Sequence, residues 1–362
     1  MRYFKYLSLF FTGLVFFSSC EDEENGADDN GNGADSYSRS GVYVVNNGVW
    51  GNNNASLSFI SFPDFTIDND VFSAANGRML GDVGQDVLVY GSKLYVVVNQ
   101  SNVIEVVDKL TCESITSIVP LNEVKEPQLP RFMVSQGGKV FVSLYDGHVA
   151  MIDTATLKIE KQVAVGPNPE GLAVSNGFLY VANSDGLNWG NGYANGKSVS
   201  KISLADFTEV KRIDVAVNPY LVEADAEGNV YVLSKGDYAE IGSSVQKISV
   251  NDEVDLFAEN VSLMRLNNGV LYTLDGSDNG LSCMAYDLKS GVVADSCFLK
   301  GEKPANPSSF DIDEANGDLY IGSYVSGVDY TSAGFVFVYG ADGALKAKLE
   351  AGVGPYAFAF MR

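Results

Sequence analysis

The residues best suited to chemistry in this chain are aromatic rings set beside amides. The runs are Asn46-Asn47-Gly48-Val49-Trp50-Gly51-Asn52-Asn53-Asn54 and Asn183 to Asn195, which holds Trp189 and Tyr193. Lys235-Gly236-Asp237-Tyr238 and Tyr324 to Tyr330 are two more. Both tryptophans of the protein are in this set. Rings offer apolar contact area, while Asn and Gly offer adaptable hydrogen bonding, so the chemistry they suggest is non-covalent recognition of a large, weakly charged molecule. The bland reading is that Asn-Gly runs serve left-handed turns and the aromatics cover the ends of strands. Catalytic signals are thin. His148 is the sole histidine, in the turn Tyr145-Asp146-Gly147-His148, and no motif supplies the Ser and Asp that a triad built on it requires. No Asp-x-Asp-x-Asp-Gly calcium loop and no Cys/His metal spacing occurs, so no metal site and no cofactor is expected.

The elements that must position these loops are visible as a repeat. The segment Gly-x-(Leu/Val)-(Tyr/Phe)-(Val/Thr/Ile) recurs in seven copies, one lengthened by a residue after Gly91 and one shortened after Gly41, its aromatic residue at Tyr43, Tyr95, Phe141, Tyr180, Tyr231, Tyr272 and Tyr320. Spacings of 39 to 52 residues, short β-branched strands and Gly-rich turns are the mark of propeller blades. Six copies follow a second short apolar segment: Asp86–Val89, Phe132–Val134, Leu172–Val174, Leu221–Val222, Leu263–Met264 and Phe310–Ile312. The first copy has only a polar tail upstream, and the missing strand stands at the other end as Tyr356–Phe360. The expected fold is therefore all-β, a seven-bladed β-propeller over residues 41–362 whose C-terminal strand completes the first blade and hides the open edges.

Strand alternation then predicts which loops share a face. Loops between second and third strands lie with those leading into the next blade, and this face surrounds the central channel. The second class adds Arg131, Glu170, Tyr220, Asn306-Pro307-Ser308 and Tyr356. The expected ligand-binding set is Trp50, Asn52, Asn53, Arg131, Glu170, Trp189, Tyr193, Tyr220, Tyr238, Tyr330 and Tyr356. Aspartates such as Asp108, Asp153 and Asp287 read as turn-starters of the outer hairpins.

Residues 1–19 read as a secretion signal: Arg2 and Lys5, then an uncharged, mostly apolar run from Tyr6 to Phe17, too short to span a membrane. The small residues Ser18 and Ser19 before Cys20 resemble a bacterial lipoprotein signal, with Cys20 lipidated. Residues 20–40 begin Glu21-Asp22-Glu23-Glu24 and read as an acidic, disordered tether. The net charge is −22, of which −18 falls in residues 41–362. Such an acidic body argues against nucleic acid or anionic lipid as a partner. Cys283 and Cys297 lie symmetrically about Ser290, placed either to form a disulfide across two outer strands or to remain as two reduced thiols in sheet packing.

The strings Leu179-Tyr180-Val181-Ala182-Asn183 and Val42-Tyr43-Val44-Val45-Asn46-Asn47-Gly48 resemble the YVTN-type β-propeller repeat. With the lipoprotein signal, the acidic run like that of exported Bacteroidetes lipoproteins, and Val45 to Asn52, the chain resembles the BtuG family. That resemblance implies a surface-exposed outer-membrane lipoprotein, not an enzyme, that captures cobalamin and passes it to a BtuB-like TonB-dependent transporter. A glycan-binding surface lipoprotein would use the same aromatic platforms, and a propeller lactonase or lyase is a further alternative.

Overall fold

The computed structural model describes residues 40–277 and 280–362. The expected signal segment, the expected lipidation site Cys20 and the expected tether up to residue 39 lie outside the described residues. Among the described residues no helix is long and apolar enough to cross a membrane.

Seven four-stranded antiparallel sheets are formed, one per copy of the repeat. Each motif strand is second in its sheet, at Gly41–Asn46, Lys93–Val98, Lys139–Leu144, Phe178–Asn183, Val230–Ser234, Val270–Ser277 and Asp318–Tyr324. The innermost strands are Pro355–Met361 in blade one, then Gly84–Tyr90, Pro130–Gln136, Pro169–Ser175, Pro219–Ala224, Leu263–Asn267 and Asn306–Asp313. Consecutive inner strands are neighbours around the whole circle, blade seven meeting blade one. The expected closure is present, with Gly41 opposite Met361, Tyr43 opposite Ala359 and Val44 opposite Phe358.

Strand alternation explains the repeat. The motif aromatics point between neighbouring sheets: Tyr43, Tyr95, Tyr231 and Tyr320 are fully buried. Tyr320 meets Phe62, Phe358 and Phe360, uniting blades seven and one. First-to-second strand turns are tight, as at Asn176-Gly177 and Asn268-Gly269, where both residues have positive φ. That pair of left-handed residues makes the turn whose twist matches a hairpin, which Asn-Gly accommodates at little cost. The aspartates act as expected. Asp108 accepts from the Leu110 and Thr111 amides, Asp153 from Ala155 and Thr156, and Asp287 from Ser290.

Two elements escaped the repeat. A short helix, Val71–Asn76, buries Phe72 in the loop between blades one and two. A 3-10 segment, Gly186–Asn191, occupies the long loop of blade four.

Closure predicts a mutational result. Phe358→Ala should cost about 3–5 kcal/mol through lost burial at the blade-seven to blade-one seam. Truncation after Gly354 should abolish the cooperative melt, because the Gly41–Asn46 edge is then unpaired. Thermal denaturation followed by circular dichroism checks both, and a truncated protein that melted like the full chain would overturn the closure argument.

Candidate functional site

The inner strands line a channel whose polar groups are arranged in two tiers. In the upper tier Arg131 forms a bidentate pair with Glu170 at 2.8 and 3.0 Å and donates to Gln85 Oε1 at 2.8 Å. One guanidinium thereby ties blades two, three and four. Burial opposes the Arg131 charge, but Glu170 more than offsets it and keeps the group ionised. Its plane also lies over Tyr145, 4.8 Å from the ring centre. Across the channel the hydroxyls of Tyr220 in blade five and Tyr356 in blade one are hydrogen-bonded to each other. Burial raises the Tyr220 phenol well above its ordinary value.

In the lower tier Arg265 donates to Glu223 at 2.7 Å and to Asp311 at 3.2 Å, tying blades five, six and seven. Carboxylates here also satisfy backbone amides of the next blade. Asp86 accepts from the Met133 amide at 2.7 Å and Glu223 from the Leu266 amide at 2.6 Å. Inner strands have no partner on their channel side, so such amides need side-chain acceptors. Burial pushes the Asp86 carboxyl up to about 7, against the pull of the Met133 and Val87 amides. Glu223 and Asp311 are also raised by burial, with Arg265 opposing. Asp86, Glu223 and Arg265 line a chamber of about 230 Å³.

Above it a cavity of about 500 Å³ opens between blades five, six and seven. Tyr220 and Tyr356 belong to both spaces, forming the floor of the upper and the roof of the lower. Tyr238, Tyr324, Ile241, Pro307, Ser308 and Lys235 complete the walls. The volume falls in the range of about 300–1,000 Å³ usual for small-molecule sites. Tyr193 packs edge-on against Tyr238 at 6.2 Å, and Tyr330 against Tyr324 at 4.8 Å, so each backs or extends a wall ring.

The expected set is thus divided. Tyr220, Tyr238 and Tyr356 line the cavity. Arg131 and Glu170 sit beside its floor, and Tyr193 and Tyr330 lie one ring away. Trp50, Asn52, Asn53 and Trp189 do not line the cavity; both tryptophans are 74% exposed, on second-to-third strand loops of blades one and four. They share the face but not the hollow. The Trp50 loop is held by the Gly51 amide donating to Asp82 at 2.9 Å.

The amides differ most from expectation. Asn46 donates to Ser56 and Ser58, and Asn183 to Ser198 and Ser200, pinning the third strand. Asn99 and Asn102 donate to the Pro130 and Pro120 carbonyls, and Asn218 to that of Gly236. These side chains are spent on the scaffold, which leaves tyrosine and serine hydroxyls to face the cavity. Lys235, Tyr324 and Ser308 were absent from the expected set, although each stands at the end of a motif strand or in a loop of the same face.

His148 Nδ1 lies 3.1 Å from Asp146 Oδ1, outside the cavity lining. Cys283 and Cys297 are unbonded, with Lys303 Nζ at 3.7 and 3.3 Å from their sulfurs. Cys297 lies beyond the fourth strand of its blade, Val293–Asp295, rather than on it.

Asp86 gives a pH test. Its carboxyl is raised from 3.8 to about 7, so the fold holds the proton more tightly than the unfolded chain. That contribution is full below the unfolded value and is lost as pH rises through about 7. Denaturant midpoints of wild type and Asp86→Asn, compared from about pH 4 to about pH 8, should show the wild type losing ground steadily. Parallel curves would place the proton elsewhere.

Residues 40–126, which hold three strands of blade one and all of blade two, match a family model described as a domain of unknown function, DUF5074. No curated protein matches the chain. Hydrazine synthase of Kuenenia stuttgartiensis is similar with a TM-score of 0.61 and 17% identity, over 77% of this chain and 89% of that one. The computationally designed Ika8 protein is similar at 0.56 and 10%, over 88% and 90%. U3-55K is similar at 0.54 and 13%, over 74% and 81%. At these identities the likeness is one of fold alone. The chain is a seven-bladed β-propeller whose first two blades carry the DUF5074 match.

Proposed function

We propose that this protein is a non-enzymatic binding protein whose tyrosine-walled mouth captures a large molecule with little charge and many amides or hydroxyls, a corrinoid such as cobalamin being the first candidate. The observation that carries the reading is the cavity floored by Tyr220 and Tyr356 and walled by Tyr238 and Tyr324, open on the face where the long loops gather. Phenol rings present apolar faces and hydroxyl edges together, which suits a macrocycle fringed with amides. The cavity would hold part of such a ligand, and the rest would spread toward exposed rim residues such as Tyr330 and Val328. Inner-strand cross-links preorganise the floor, which limits the ordering cost of tight capture.

The remaining parts of the proposal rest on the resemblance of residues 1–52: anchorage in the outer membrane through Cys20, display toward the medium, and delivery to a BtuB-like TonB-dependent transporter. Glycan capture is the second reading, favoured by the ring of Tyr238, which is 70% exposed at the lip as a stacking platform would be.

Purified full-length protein mixed with cyanocobalamin and desalted should retain corrinoid absorbance. No retained colour at micromolar concentration would reject the corrinoid reading, and a glycan array then tests the second. Tyr238→Ala should weaken capture by about tenfold or more while leaving the melting temperature nearly unchanged, since the ring is exposed. Trp50→Ala and Trp189→Ala should weaken only a ligand broad enough to reach the rim, so titrations of the variants also gauge how far the bound molecule extends.

A further inference from the structure

We infer that the cavity floor is an anion subsite centred on Lys235, so that the captured molecule carries a carboxylate or phosphate on an otherwise weakly charged body. This rests on the mouth being the ligand site and adds a chemical requirement to it. Lys235 follows the second strand of blade five and is the only ionised side chain among the cavity's lining residues. Its ammonium stands 3.3 Å from the centre of the Tyr220 ring. Among the described residues it has neither an ion-pair partner nor a hydrogen-bond acceptor. Some other lysines of this acidic chain, by contrast, find carboxylates: Lys139 pairs with Asp153, Lys201 with Asp252 and Lys346 with Asp318.

Glu170 is the carboxylate near Lys235, but each of its oxygens accepts from Arg131 and neither pairs with the Lys235 ammonium. The floor therefore carries two cations against one anion, in a protein of net charge −22. The remaining acids, Asp86, Glu223 and Asp311, lie lower in the channel around Arg265. Lys235 is half-buried; withdrawing an ammonium from water without an anion is costly, and a ring face offsets only part of that cost. Burial accordingly lowers Lys235 to about 8, with Arg131 adding to the effect and Glu170 opposing it.

A second unused donor points the same way. Tyr220 and Tyr356 hold two hydroxyl protons and use one between them, which leaves one to donate. An ammonium and a phenol without acceptors, both on the cavity lining, form a donor pair complementary to an oxyanion.

The test uses small aromatic probes on the full chain. By calorimetry, phenyl phosphate should bind at least about tenfold tighter than benzyl alcohol. Lys235→Met should erase that preference while keeping the benzyl alcohol affinity, and Lys235→Arg should keep the preference. Equal affinities in the wild type, or a preference that survives in Lys235→Met, would overturn the subsite; the wild-type comparison needs no variant to fold. In parallel, Lys235→Met should weaken cyanocobalamin, whose nucleotide loop contains a phosphodiester, and spare dicyanocobinamide, which lacks it. If the phosphate preference holds while neither corrinoid binds the wild type, the subsite stands and the corrinoid reading falls. If both corrinoids bind but the preference is missing, the reverse follows.

Discussion

Everything in this molecule depends on a circle closed by a strand from the far end of the chain. Each blade buries its motif aromatics against the next, so no blade has a complete core of its own. Pro355–Met361 turns an open array into a ring by pairing with Gly41–Asn46, and the Tyr320 contacts with Phe358 and Phe360 seal that seam. Only after closure do the seven inner strands face one another across a channel. The arginine clamps and the tyrosine floor exist because of that convergence.

The channel shows how one geometric position takes different chemistry in successive blades. Residues near the start of the inner strands supply Gln85, Arg131, Glu170, Tyr220 and Tyr356, which meet at one level. Residues further along supply Glu223, Arg265 and Asp311 at another. Each tier is built around one arginine, Arg131 held by Glu170 and Arg265 by Glu223 and Asp311. Lys235 breaks the pattern, since it enters from a second strand and finds the nearby carboxylate already engaged.

The architecture was legible because strand alternation and blade period are encoded locally. Aromatics at Tyr43, Tyr95 and Tyr231 recur where neighbouring sheets meet, and the unpaired first copy betrayed the closing strand. The site was legible only in part. Topology put Tyr220, Tyr238 and Tyr356 on one face and structure joins them around the cavity, while Trp50 and Trp189 stand on that face outside the cavity. A sequence shows that a loop is long and aromatic; it does not show whether the loop leans over the channel or outward. Asparagine is ambiguous in sequence for a related reason, because the same amide that can contact a ligand can pin a strand. Asn46 and Asn183 do the latter, each bonded to two serines of the adjoining strand. Lys235 carried no distinguishing signal, since its missing acceptor is a fact of three dimensions.

The hydroxyl bridge between Tyr220 and Tyr356 spans the ring from blade five to blade one, directly beneath the mouth. It makes the propeller a cup rather than a pipe. If the mouth is the capture site proposed above, a molecule resting on that bridge enters and leaves by one side, and a recipient meets it across the same lip.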